Sequence, residues 1–168
     1  MLAVLLEFDR RLHRIVEGSS EPILGQISLA WWRDVIKADA PPKGEPLIGR
    51  IQALRENTGW PFDAAMLAMI DGWEARLSVP DDRNAFADGR GAGLFRAFAG
   101  PGEWLGLEAA ARCWALAGSE NRANDGPDMR ALRNWPRRLR PLSLLALAGR
   151  GGGPLAGFRL SWHGLTGR

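Results

Sequence analysis

The chain has no tyrosine, one cysteine, two histidines and only two lysines among its 168 residues. The scarcity of cysteine and histidine closes off two classes of chemistry. A lone cysteine, Cys113, has no partner for an internal disulfide and fits a reducing cytoplasm. It sits in an alanine-rich helical run, which reads as core packing rather than a reactive thiol. His13 and His163 stand in no metal-ligand pattern, so a histidine-based zinc centre is not expected. No apolar run reaches the roughly 18 residues that a membrane span needs. The apolar start is interrupted by Glu7 and Asp9, with no small-residue cleavage site after it, so a signal peptide is not expected. Strand-like alternation and internal repeats are also missing. Gly-Arg-Gly-Ala-Gly at 89–93 faintly suggests a phosphate loop, but no strand precedes it and no Gly-Lys-Ser/Thr follows.

Apolar residues in abundance (46%) indicate a folded domain with a real core, and the length suits one domain over 1–168. Charge is unevenly spread. Residues 129–168 carry 8 Arg and no Asp or Glu, which leaves 14 of the 22 basic residues against all 19 acids in the first 128. Such a basic end suits phosphates, an anionic membrane surface or a protein partner; equally, it suits docking on the acidic part of the same chain. No recognised reading module accompanies the arginines, so nucleic acid is not an expected partner.

Helical periodicity dominates. Leu2, Leu5, Leu6, Asp9, Leu12 and Val16 trace the stripe of a first helix, ended by Gly18-Ser19-Ser20. Ser20 reads as the N-cap of a second helix and Pro22 as its first residue. That helix runs to about Ala38, with Ile23, Ile27, Trp31 and Val35 as its expected buried side and Trp32 pointing elsewhere. After the break at Ala40-Pro41-Pro42-Lys43-Gly44, a third helix begins at Pro46 with Leu47, Ile51 and Leu54 inward. A fourth follows Pro61, carrying Leu67, Ile70, Trp73 and Leu77. A fifth spans about 82–98, where glycines 89, 91 and 93 suit close approach of a helix or ligand. Further helices are expected over 103–116, 129–133, 141–148 and 154–165. The count favours an all-α bundle.

The strongest local text is Ser20-Glu21-Pro22-Ile23-Leu24-Gly25-Gln26-Ile27-Ser28-Leu29-Ala30-Trp31-Trp32-Arg33-Asp34. It resembles the stretch S-E-P-x-x-G-x-I-R-L-x-W-W-R-D in a branch of the squalene/phytoene synthase family. That branch includes short bacterial proteins and a mitochondrial relative linked to respiratory complex I assembly. Ser28 departs from the usual Arg. Met69-Ile70-Asp71-Gly72-Trp73-Glu74, Phe86-Ala87-Asp88-Gly89-Arg90-Gly91-Ala92-Gly93-Leu94 and Arg138-Leu139-Arg140-Pro141-Leu142 resemble later family segments in the same order. The resemblance implies a shortened single helical bundle of the isoprenoid (terpenoid) synthase type.

Family enzymes join two prenyl diphosphates head to head, with Mg²⁺ neutralising the leaving charge. Mg²⁺ needs carboxylates that share a helical face, as residues four apart do. Here Glu7 and Asp9 are two apart. Arg11 and Arg76 stand where the resemblance implies acids. Asp125 and Asp128 have the wrong spacing and are separated by Gly126-Pro127, which breaks a helix. The expectation is a squalene/phytoene synthase-like protein without head-to-head condensation, cytoplasmic or peripheral to the inner membrane. Two alternatives stand beside it. One is an active prenyltransferase with a rearranged Mg site built from Glu7, Asp9, Asp71 and Glu74. The other is an assembly or interaction protein for a membrane complex. Arg33, Arg55 and Arg76 suit contact with the phosphates of an isoprenoid diphosphate or lipid; the competing reading is ion pairing, Arg33 with nearby acids and Arg76 with Asp71 or Glu74.

Overall fold

Apolar residues at positions 5, 8, 12 and 16 give one continuous stripe at helical spacing. In the computed structural model they form the buried face of α1 (Leu2–Gly18). Asp9 is buried on the same face. The helix ends as Ser19 donates its hydroxyl back to the Ile15 carbonyl at 2.6 Å. The structure describes residues 1–58, 62–78, 80–117 and 128–149, and every regular element among them is helical. The helix expected over 154–165 and the loop acid Asp125 lie outside the described residues.

The chain divides into two compact units, Met1–Pro101 and Gly102–Arg168. In the first, α1 is followed by α2 (Pro22–Lys37), α3 (Pro46–Thr58), α4 (Phe62–Ala75) and α5 (Arg83–Phe86). A π-helical turn (Ala87–Ala92) then leads directly into α6 (Gly93–Ala99). The fifth helix expected from sequence is therefore a helical run with an over-wide turn in its middle. Asp82 caps its start, its carboxylate accepting from the backbone N–H of Asn84 at 3.1 Å and Ala85 at 3.0 Å.

Helix α4 is central: it packs on α1, α2, α3, α5, the π turn and α6. Its buried residues, Phe62, Ala65, Met66, Met69, Ile70, Gly72 and Trp73, cover more than one face, as a helix with several neighbours requires. The glycines explain how the π turn reaches it. A Cβ on Gly72 would lie 2.2 Å from the Arg90 backbone nitrogen, and one on Gly89 would lie 2.5 Å from the Gly72 Cα. Gly93 meets the Ala65 carbonyl in the same way. Of the glycines expected to serve close approach, Gly89 and Gly93 serve helix-to-helix approach.

Two expectations about α2 are corrected. Its N-cap position is Glu21, not Ser20, and no side chain caps it. Its buried residues are Gly25, Leu29, Trp32, Val35 and Ile36. Ile23 (53% exposed), Ile27 (61%) and Trp31 (46%) lie on the outer side with Leu24. An i to i+4 series rotates about 40° per step on a helix of 3.6 residues per turn. The series from Ile23 to Val35 therefore turns through about 120°, and only Val35 reaches the core. Positions 25, 29, 32 and 36 stay within a narrow arc and form the real inner face. Trp32 meets Phe8 of α1 edge-on, with ring centroids 5.3 Å apart.

In α3 the buried residues are Leu47, Ile48 and Ile51, with Ile48 taking the place expected of Leu54. Gly49 is on its exposed side, and a Cβ there would meet nothing within 4 Å. Gly49→Ala is expected to stabilise the fold by about 0.5–1 kcal/mol, because alanine loses less backbone entropy in a helix. A rise in the urea midpoint would show it; a fall would mean that α3 is not a helix at this point.

The second unit holds α7 (Leu107–Ala115), α8 (Met129–Arg133), a 3₁₀ turn (Arg137–Leu139) and α9 (Arg140–Gly149). α7 packs on α9. Cys113 is a buried thiol donating to the Ala146 carbonyl at 3.4 Å, in keeping with a packing role.

Candidate functional site

The acid on the core stripe of α1 defines the centre of the first unit. Asp9 is only 4% exposed, so its charge requires fixed partners. Arg90, from the π turn, supplies a two-pronged contact: Nε donates to Oδ1 and Nη2 to Oδ2, each at 2.8 Å. Trp73 of α4 adds its indole N–H to Oδ1 at 2.9 Å. The Arg90 guanidinium lies over the Trp73 ring at 5.0 Å and the Phe86 ring at 5.4 Å. Those two rings meet edge-on, and His13 packs its ring 5.2 Å from Trp73. Three elements thus converge on one carboxylate. A guanidinium fork matches a carboxylate's two oxygens, and stacking on aromatic faces holds the fork in place.

The other candidate residues do not join this cluster. Glu7 pairs with Arg50 on α3. Asp71 and Glu74 both receive Arg33, which bridges α2 to α4; its Nη2 is 2.6 Å from Asp71 and also reaches Glu74. Burial pushes the Arg33 pKa down, but the hydrogen bonds that Arg33 donates to Glu74 and Asp71 and the charge of both acids outweigh it, holding Arg33 above its ordinary value. Arg11 pairs with Glu45, ahead of α3. Each of the four candidate metal carboxylates therefore faces an arginine. Among the described residues, no three His, Cys, Asp or Glu side chains gather where they could hold a metal ion.

The candidate phosphate-binding arginines are placed apart. Arg33 is held as above. Arg55 closes the end of α2: it donates to the carbonyls of Ile36 and Ala38 and forks onto Asp63 at 2.8 and 2.6 Å. The hydrogen bond to Asp63 raises Arg55 above its ordinary value, more than desolvation lowers it. Arg76 pairs with Asp81, rather than with Asp71 or Glu74, and lies over Phe86 at 5.5 Å. A surface groove of about 360 Å³ runs along the turn before α3, bordered by Lys43, Glu45, Ile48 and Gln52. None of the seven candidate residues lines it.

Sequence reasoning missed Arg90 as the partner of Asp9. The signal was present in the stripe itself. An acid at a core position must meet a cation or lose its charge, and the glycine-flanked Arg90 was the cation whose backbone could come close enough. No family model, curated protein or solved structure matches the chain.

Proposed function

We propose that the chain is a squalene/phytoene synthase-like protein with a helical framework of the isoprenoid synthase type, working as a binding or assembly protein rather than as a head-to-head prenyltransferase. The observation that carries this reading is the pairing of all four candidate carboxylates with arginines: Glu7 with Arg50, Asp9 with Arg90, and Asp71 and Glu74 with Arg33. A magnesium ion would have to displace a guanidinium from each of them, and at Asp9 would leave Arg90 without its fork. The likeness of Ser20 through Asp34 supports the family half of the proposal. The outward-facing Ile23, Leu24, Ile27 and Trp31 of α2 support the binding half, because a contiguous apolar patch on a surface marks an interaction site.

Purified protein incubated with Mg²⁺ and C15 or C20 prenyl diphosphates is expected to yield no squalene- or phytoene-type product above a protein-free control. Product formation that disappears on chelation of Mg²⁺ would overturn the proposal in favour of a rearranged metal site.

A further inference from the structure

In the second unit, one leucine is displayed where a leucine is costly. Leu105 is 80% exposed. It occupies the tip of a tight turn: the Leu107 N–H donates to the Trp104 carbonyl at 3.0 Å, and Gly106 takes the left-handed conformation (φ 80°, ψ 5°) that the third position of a type II turn demands. The turn is anchored from below. Buried Trp135 donates its indole N–H to the Leu105 carbonyl at 3.0 Å. Arg138 lies over the Trp104 ring at 5.2 Å. A Cβ on Gly106 would come within 3.2 Å of the Ala131 methyl group, so the turn rests on α8. Leu105 is thus held out by fixed geometry, not left on a slack loop.

The elements that anchor this turn carry the arginines. Arg130 and Arg133 on α8, and Arg137 and Arg138 on the 3₁₀ turn, are exposed; Arg140 opens α9 half-buried. None of the five makes an ion pair among the described residues. The acids described in this unit are Glu103, Glu108 and Asp128, and Asp128 is engaged in capping α8, accepting from the Arg130 N–H at 2.8 Å. In the first unit, by contrast, arginines 11, 33, 50, 55, 76 and 90 all meet carboxylates.

We infer that the Trp104–Leu107 turn and the arginines of α8 and the 3₁₀ turn form a docking surface for an anionic phospholipid bilayer, with Leu105 entering the interfacial region while the arginines meet lipid phosphates. An aliphatic tip anchored on elements that carry exposed arginines fits a bilayer, which offers acyl chains beneath a layer of negative charge. Nucleic acid fits less well: single-stranded bases need open aromatic faces, whereas Trp104 is covered by Arg138 and Trp135 is buried. This inference rests on the second unit alone and stands whether or not the chain condenses prenyl diphosphates.

The test is co-sedimentation of the full chain with vesicles of phosphatidylcholine alone, and with vesicles of equal parts phosphatidylcholine and phosphatidylglycerol. Binding is expected to the anionic vesicles and to weaken with salt. Arg133→Gln with Arg137→Gln should weaken it about fivefold per arginine, and Leu105→Ser about tenfold. These side chains are exposed, so the fold should persist, which circular dichroism would verify. Arg133→Lys with Arg137→Lys should bind like the parent. Equal binding to both vesicle types, or no change on replacing Leu105 and the arginines together, would overturn the inference. So would arginine-dependent binding to single-stranded RNA without vesicle binding.

Discussion

Gly72→Ala is expected to destabilise the protein by about 3 kcal/mol, near the upper end of what one added methyl group does in a packed interior. The added carbon would stand 2.2 Å from the Arg90 backbone nitrogen, 2.8 Å from the Gly89 carbonyl carbon and 3.0 Å from the Gly89 Cα. All three atoms belong to the main chain, so no flexible side chain can swing aside. The π turn would have to lift away from α4, and with it the guanidinium that Arg90 offers to Asp9. The loss therefore has two parts: the steric displacement and the loosened ion pair. Urea unfolding followed by circular dichroism measures their sum. An alanine variant with the parent's midpoint would mean that α4 and the π turn do not touch through their backbones. Gly49→Ala, with open space around it and an expected gain, controls for the helix propensity of the new residue.

Much of the helical order was legible because its punctuation is covalent. Pro22, Pro46 and the Pro41-Pro42 break mark helix starts and a loop through fixed backbone angles, and those boundaries hold in the structure. The inner face of α2 was misread for a different reason. Its outer side is as apolar as its inner side, so hydrophobicity alone does not choose between them. What separates them is phase: positions 25, 29, 32 and 36 keep step with the helix, whereas the four-residue series drifts. Glycine at position 25 carries no hydrophobic signal, yet it is buried because Leu77 closes over it. The π turn was illegible since an extra residue in one turn leaves no mark in composition. Of the candidate site, single residues could be named but not their partners. Pairing is decided by which helices touch, and a carboxylate suited to a metal is equally suited to an arginine.

Replacing Asp9 brings that ambiguity to a measurement. Asp9→Ala is expected to cost about 3–5 kcal/mol, the usual loss when one member of a buried ion pair is removed. Arg90 would lose both prongs of its fork and Trp73 the acceptor of its N–H, while the guanidinium stays against the Trp73 and Phe86 rings. Asp9→Asn should cost less, since an amide oxygen still accepts one of these bonds. Pairing Asp9→Leu with Arg90→Met should recover most of the loss, because apolar groups of similar volume leave no charge to solvate. A metal-ligand role for Asp9 makes the opposite prediction. Carboxylates gathered for a cation repel one another when it is absent, so neutralising one would raise the stability of the metal-free protein. The sign of a single unfolding experiment on Asp9→Ala without added metal therefore separates a structural ion pair from a binding site. The bidentate geometry at 2.8 Å on both oxygens argues for the loss.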